Sequence, residues 1–174
     1  MLIENIFRKP VAEYDRVKAV EYARKWAMKR NPQYLDFDKY GGDCTNFASQ
    51  VLFAGSGIMN YKPTYGWYYI NANKRTASWT GVNFLYNFLI GNKGSGPFAE
   101  EVDVKDVKPG DLVQVSFNGG NHYNHTPVII NTGTTPSVEN IRIAAHSDDR
   151  ENDPLTCYTW KKIRYLHIVG VRRA

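Results

Sequence analysis

Cysteine is scarce: the 174 residues contain two, Cys44 and Cys157, too few for the disulfide framework of a small secreted scaffold. Long apolar runs are missing too. No stretch approaches the roughly 20 residues that span a bilayer, and Met1 to Lys9 has no basic flank, long apolar segment and small-residue cleavage site. On this reading the chain is soluble and unexported, cytoplasmic as written. No internal repeat or low-complexity linker divides it, so a single domain over 1–174 is expected. What is present is a globular composition, 43% hydrophobic, 14% aromatic and 22% charged, which buries enough surface to offset ordering entropy and excludes a disordered or collagenous chain. The formal charge of +5 is a modest bias towards anionic partners. No Arg- and Lys-rich stripe or nucleic-acid motif accompanies it, so no nucleic-acid partner is expected.

Helical spacing dominates the first half. From Glu13 to Lys29, Val17, Val20, Ala23, Trp26 and Ala27 recur on one face, and Asn31-Pro32 stops the helix. After an aromatic loop closed by Gly41-Gly42, Cys44, Phe47, Ala48, Val51 and Leu52 mark a second helix ending at Gly55 or Gly57, with Asp43 as N-cap. Val82, Leu85, Tyr86 and Leu89 give a third over Ser78 to Ile90. The period then changes to that of strands: Asp111 to Phe117 after the Lys108-Pro-Gly-Asp turn, Tyr123 to Ile130, Ile141 to His146, and Tyr165 to Val171 paired with Thr156 to Trp160. Pro127 marks an edge or the start of regular pairing. Helices first and closely connected strands after predict an α+β fold with an antiparallel sheet.

Cys44 in the first turn of an apolar helix meets unpaired backbone N–H groups and the helix dipole, both of which favour a thiolate. A thiol nucleophile needs an imidazole to carry protons and a third group to orient that imidazole. His125 heads an apolar strand, and His146 closes the next. In that strand Ile141, Ile143 and Ala145 share one face, and Arg142, Ala144 and His146 the other. Side by side, His146 would orient His125, with Asp148 and Asp149 as competing orienters. His122 and His167 are tied to no other reactive group by pattern, and Cys157 is expected to be a reduced thiol without a role.

The order of these segments resembles the putative amidase domain family, itself similar in motif order to the papain-like cell-wall peptidases of the NlpC/P60 group. The segments are Tyr40-Gly-Gly-Asp-Cys-Thr-Asn-Phe47, Ser78-Trp79, Pro109-Gly-Asp111, a His-initiated apolar strand and His146-Ser-Asp-Asp-Arg150. The resemblance implies N-terminal helices packed on a C-terminal antiparallel sheet and hydrolysis of an amide in bacterial peptidoglycan or a related peptide, without a cofactor. It implies Cys44 as nucleophile, His125 as general base and His146 as orienter, with Asp43 capping the helix. The Cys44 backbone N–H is a candidate oxyanion donor, and the Tyr40 hydroxyl a second.

Two other readings stand beside this one. His122 and His125, spaced His-x-x-His, with His146 and Asp148 or Asp149, would suit a metal hydrolase if Tyr123 and Asn124 lie in a bend. The Tyr- and Trp-rich stretch between Gly55 and Ser78 would suit a glycan-binding module without catalysis.

Overall fold

The computed structural model describes residues 10–173; the reading made for Met1–Lys9 lies outside them. Helix α1 spans Arg16–Trp26, where Asp15 accepts a hydrogen bond from the Lys18 N–H as a side-chain cap. Its buried stripe is Ala19 and Ala23, continued by Ala27. Val17, placed on that face by the spacing, is 68% exposed. The expected face is right at Ala23 and Ala27 but is rotated towards Ala19 and away from Val17, because the small alanines, not the bulkier Val17, face the neighbouring helix.

Helix α2, Cys44–Ser56, ends at Gly57 in the left-handed region. Its close approach to the chain entering α1 explains Gly55: a Cβ there would lie 2.4 Å from the Tyr14 ring. The single helix expected over Ser78 to Ile90 is two, α3 (Ala77–Thr80) and α4 (Val82–Gly91). Extended Gly81 separates them, donating back to Ala77 O and accepting from Leu85 N. Between α2 and α3 lies the short hairpin of β2 (Tyr69–Asn71) and β3 (Lys74–Arg75).

The main sheet is antiparallel at every pairing, so the fold is α+β. Its strands are β1 (Val11–Ala12), β4 (Gly96–Val102), β5 (Leu112–Ser116), β6 (Val128–Asn131), β7 (Arg142–Ala145), β8 (Arg150–Pro154) and β9 (Lys162–Arg172). The order is β1-β9-β5-β6-β7-β8, with β4 also paired to β9. Regular pairing of β6 begins immediately after Pro127, which has no N–H to give; His125 is held only by a single bridge to Val115. Two strands differ from expectation. Thr156 to Trp160 is not a strand: Leu155–Cys157 is a 3-10 turn, and β9 pairs instead with β1, β4 and β5. The partner of β7 is β8, a polar segment with no apolar alternation to announce it.

The sheet is buried on both faces. Leu112, Val128, Ala144 and Leu166 meet the helices through Phe47, Ala48, Val51, Leu52, Trp67 and Trp79. Val113, Val115, Ile129, Ile141, Ile143 and Ala145 form a second cluster with Leu155 on the other side. Each fully buried aliphatic or aromatic side chain contributes about 1.5–3 kcal/mol. The alternation expected for Ile141 to His146 is observed, with Ala144 facing the helices and Ile143 and Ala145 facing away.

The turn before β5 has its own polar anchor. Buried Asp111 accepts from the backbone N–H groups of Lys108 and Ile168, pairs with Arg16 at 2.7 Å and contacts His167 Nδ1 at 2.8 Å. It ties α1 to both central strands, and it gives His167 a structural partner.

Candidate active site

Cys44 stands at the start of α2 and is 8% exposed. The helix N-terminus predicts a lowered thiol pKa, and the structure reverses that expectation. Burial is the largest influence and pushes the thiol up, while hydrogen bonding from Thr45 and from the backbone of Thr126 acts the other way. The sulfur lies 3.7 Å from Thr45 Oγ1, which is 3.3 Å from Thr126 Oγ1. Thr126 in turn accepts from Gln114 Nε2, so a buried polar chain runs beneath the start of the helix.

Thr126 follows His125, which is 5% exposed. Burial, and secondarily the charge of Arg150, lowers the His125 pKa to about 4. Its Nε2 lies 3.0 Å from the hydroxyl of Tyr158. The two rings meet edge to face at 5.0 Å, and Phe117 packs beside both. Among the described residues Nδ1 of His125 has no hydrogen-bond partner, and no hydrogen bond joins His125 to Cys44.

His146 is elsewhere. Its Nε2 faces the carbonyl of Trp26 at 2.8 Å and its Nδ1 faces Asp43 Oδ2 at 2.5 Å, while Phe47 stacks on the ring at 4.0 Å. A carbonyl only accepts, so Nε2 donates to it, while Nδ1 is taken up by the carboxylate. Both nitrogens are thus occupied, and His146 does not orient His125. Asp43 also departs from expectation: its side chain caps no helix N–H. Oδ1 accepts from Phe37 N and Asn46 Nδ2 instead, and Arg30 Nε lies 3.6 Å from Oδ2.

The rest of the motif serves the same scaffold. Asn46 Oδ1 accepts from the indole of buried Trp79, which explains why a Ser-Trp pair accompanies the cysteine helix. Ser147, at φ +60°, accepts from Asp43 N and donates to Asp38. Asp149 makes a two-point contact with Arg30. Asp148 is an exposed partner of Arg150 and touches neither histidine. Tyr40 is 72% exposed on a short 3-10 turn.

His122 is exposed in the loop before His125, and His146 has no nitrogen left for an ion. Among the described residues no group of three or more His, Cys, Asp or Glu side chains is placed to hold a metal ion. Cys44 and Cys157 are both free thiols. Two surface cavities, of about 590 and 600 Å³, are lined by Tyr22 and Trp26 and by Tyr65, Phe84 and Phe88; neither includes Cys44 or His125.

The sequence reading missed Tyr158. Its only signal was position, one residue after Cys157 in a segment taken for a strand. No helix among the described residues is long and apolar enough to cross a membrane.

Residues 13–169 match the family model described as Putative amidase domain. Two curated relatives come from Bacillus subtilis (strain 168). The uncharacterized protein YhbB is 32% identical over 162 residues, covering 90% of this chain and 51% of the relative. The uncharacterized protein YjcM is 26% identical over 170 residues, covering 93% and 38%. The chain therefore spans about half or less of the length of these relatives. No solved structure matches it.

Proposed function

The chain belongs to the Putative amidase domain family, and from that premise we propose that it hydrolyses an amide bond with the Cys44 thiol as nucleophile and His125 as general base, on bacterial peptidoglycan or a related peptide. The supporting observation is the seating of the Cys44 helix turn on Thr126, the residue next to His125, deep between helix and sheet. A helix-borne thiol working with a strand-start imidazole is the papain-like arrangement that the motif order suggests, and we read the fold in that sense.

In the resting chain the thiol is held protonated and the imidazole neutral, both through burial. The thiol therefore gives up its proton as attack begins. His125 accepts that proton, sulfur bonds to the amide carbon, and the imidazolium protonates the departing amine. Water, deprotonated by His125, then cleaves the thioester. The Cys44 backbone N–H at the helix start is the oxyanion donor this reading assigns. A thiol–imidazole hydrogen bond missing before substrate arrives is common and tightens on binding.

The test is incubation of the purified chain with peptidoglycan sacculi and with soluble muropeptides, scoring new amino groups and product masses. Wild-type protein should release amines, and Cys44→Ala and His125→Ala, folded by circular dichroism, should not. Release by Cys44→Ala at the wild-type rate would overturn the assignment.

A further inference from the structure

The proposed base has two ring nitrogens, and the structure accounts for only one. Nε2 is occupied by the Tyr158 hydroxyl at 3.0 Å, while among the described residues Nδ1 has no hydrogen-bond partner. The residue expected to orient this ring, His146, is committed to Asp43 and Trp26. We propose that Tyr158 is the positioning residue of His125: its phenol oxygen accepts from Nε2–H, fixes the tautomer and leaves the Nδ1 lone pair for the Cys44 thiol. The inference rests on the hydrolase reading above and supplies the member of the site that the reading lacks.

Three features hold the phenol in place for this role. First, Tyr158 ends the turn at Leu155–Cys157: its N–H bonds Leu155 O, and Leu155 N bonds Ile141 O beside β7, so the backbone is tied to the sheet. Second, the ring is packed by two neighbours. Phe117 lies 6.3 Å away by ring centres, and the Arg150 guanidinium sits 5.3 Å above the face. Third, Arg150 is itself fixed by Asp148 and Asp153. Asp148 and Asp153 thus reach His125 at one remove, through Arg150 and the Tyr158 ring, instead of by direct contact.

The chemistry of the partner follows. A carboxylate at Nε2 would pull the imidazole towards its charged form before substrate binds. A phenol orients without adding charge, because burial keeps the Tyr158 hydroxyl protonated well above its ordinary range. A neutral orienting group suits a cluster in which the thiol is protonated and the imidazole neutral at rest. It sets geometry and tautomer, and leaves the driving force for proton transfer to the attacking step.

Tyr158→Phe removes the hydroxyl and keeps the ring, so packing against Phe117 and Arg150 survives. In the full chain, with sacculi as substrate, the variant should lose about 10²-fold in kcat with KM little changed. A readout independent of turnover is the tautomer of His125 in protein carrying 15N-labelled histidine. Wild-type protein should show Nε2–H with bare Nδ1, and Tyr158→Phe a mixture of tautomers; a merely structural tyrosine would not move that signal. Unchanged tautomer and wild-type kcat in Tyr158→Phe, with Cys44→Ala and His125→Ala inactive, would overturn the positioning role and leave the hydrolase standing. Full activity in Cys44→Ala would fell the hydrolase reading and the positioning role with it, even if the tautomer spectrum still tied Tyr158 to the ring.

Discussion

Two buried histidines flank the start of one helix, and their surroundings differ in kind. His146 lies in a charged, saturated setting, with a carboxylate, a backbone carbonyl, a stacked phenylalanine and Arg30 with its ring of aspartates. His125 lies in a neutral, incomplete one, with aromatic walls and, among the described residues, a hydrogen bond to a phenol on one nitrogen and no partner on the other. The first arrangement leaves no atom for a substrate and reads as a clamp joining the loops before α2 to the end of β7. The second retains the unsatisfied capacity that proton transfer needs. Residue type alone does not separate the two; the number of unspent hydrogen bonds does.

Substitutions break this comparison in opposite directions. Cys44→Ala should abolish amine release from sacculi, by more than about 10³-fold, with the urea midpoint almost unmoved. Asp43→Ala should do the reverse to stability, costing about 3–5 kcal/mol in urea denaturation, because it leaves His146 and Arg30 facing an unpaired hole in the interior. If Asp43→Ala unfolds no more easily than wild-type protein, the clamp interpretation fails.

A change of pH sharpens the comparison. The folded His125 titrates at about 4, below the ordinary value of 6.5, so the unfolded chain takes up the proton first. Stability is therefore fully present above about pH 6.5 and is lost as pH falls towards 4, by about 3 kcal/mol from this one residue. Urea curves of His125→Gln should lack that share of the decline. On the acid side, kcat/KM of the wild-type protein should fall only as pH approaches 4, with no limb near 6.5.

Smaller effects test the edges. Trp79→Phe keeps most of the packing but deprives Asn46 of its indole donor, and should cost about 1–2 kcal/mol. Asp148→Asn removes one exposed partner of Arg150 while Asp153 remains, and should change stability by less than about 0.5 kcal/mol. A large loss of turnover in Asp148→Asn would instead point to a direct role for that carboxylate.

The sequence made the class of fold legible because apolar spacing is a local signal. The cysteine helix, the strand at Ile141 and the start of pairing after Pro127 all follow from it. It failed where tertiary partners decide. Polar β8 and proline-bearing β4 carry no alternation, and the buried stripe of α1 is set by how closely α2 approaches. The candidate site, as proposed, was half legible. Cys44 and His125 stood out by position, but the partner of each histidine depends on the folding of distant segments, and Asp43 and Tyr158 lie 103 and 33 residues from the rings they serve. The helix-terminus argument for an acidic thiol failed for a related reason: desolvation outweighs the dipole once the sulfur is enclosed.

That enclosure bears on durability. Peroxide and disulfide exchange act on accessible thiolates, and the first oxidation product of such a sulfur is the entry to irreversible sulfinic and sulfonic acids. A sulfur 8% exposed and kept protonated offers oxidants little to attack while no substrate is bound. On the proposed reading, the packing that keeps the proton on the sulfur until attack also shields it between encounters, so the nucleophile that reading assigns would persist in surroundings hostile to free cysteine.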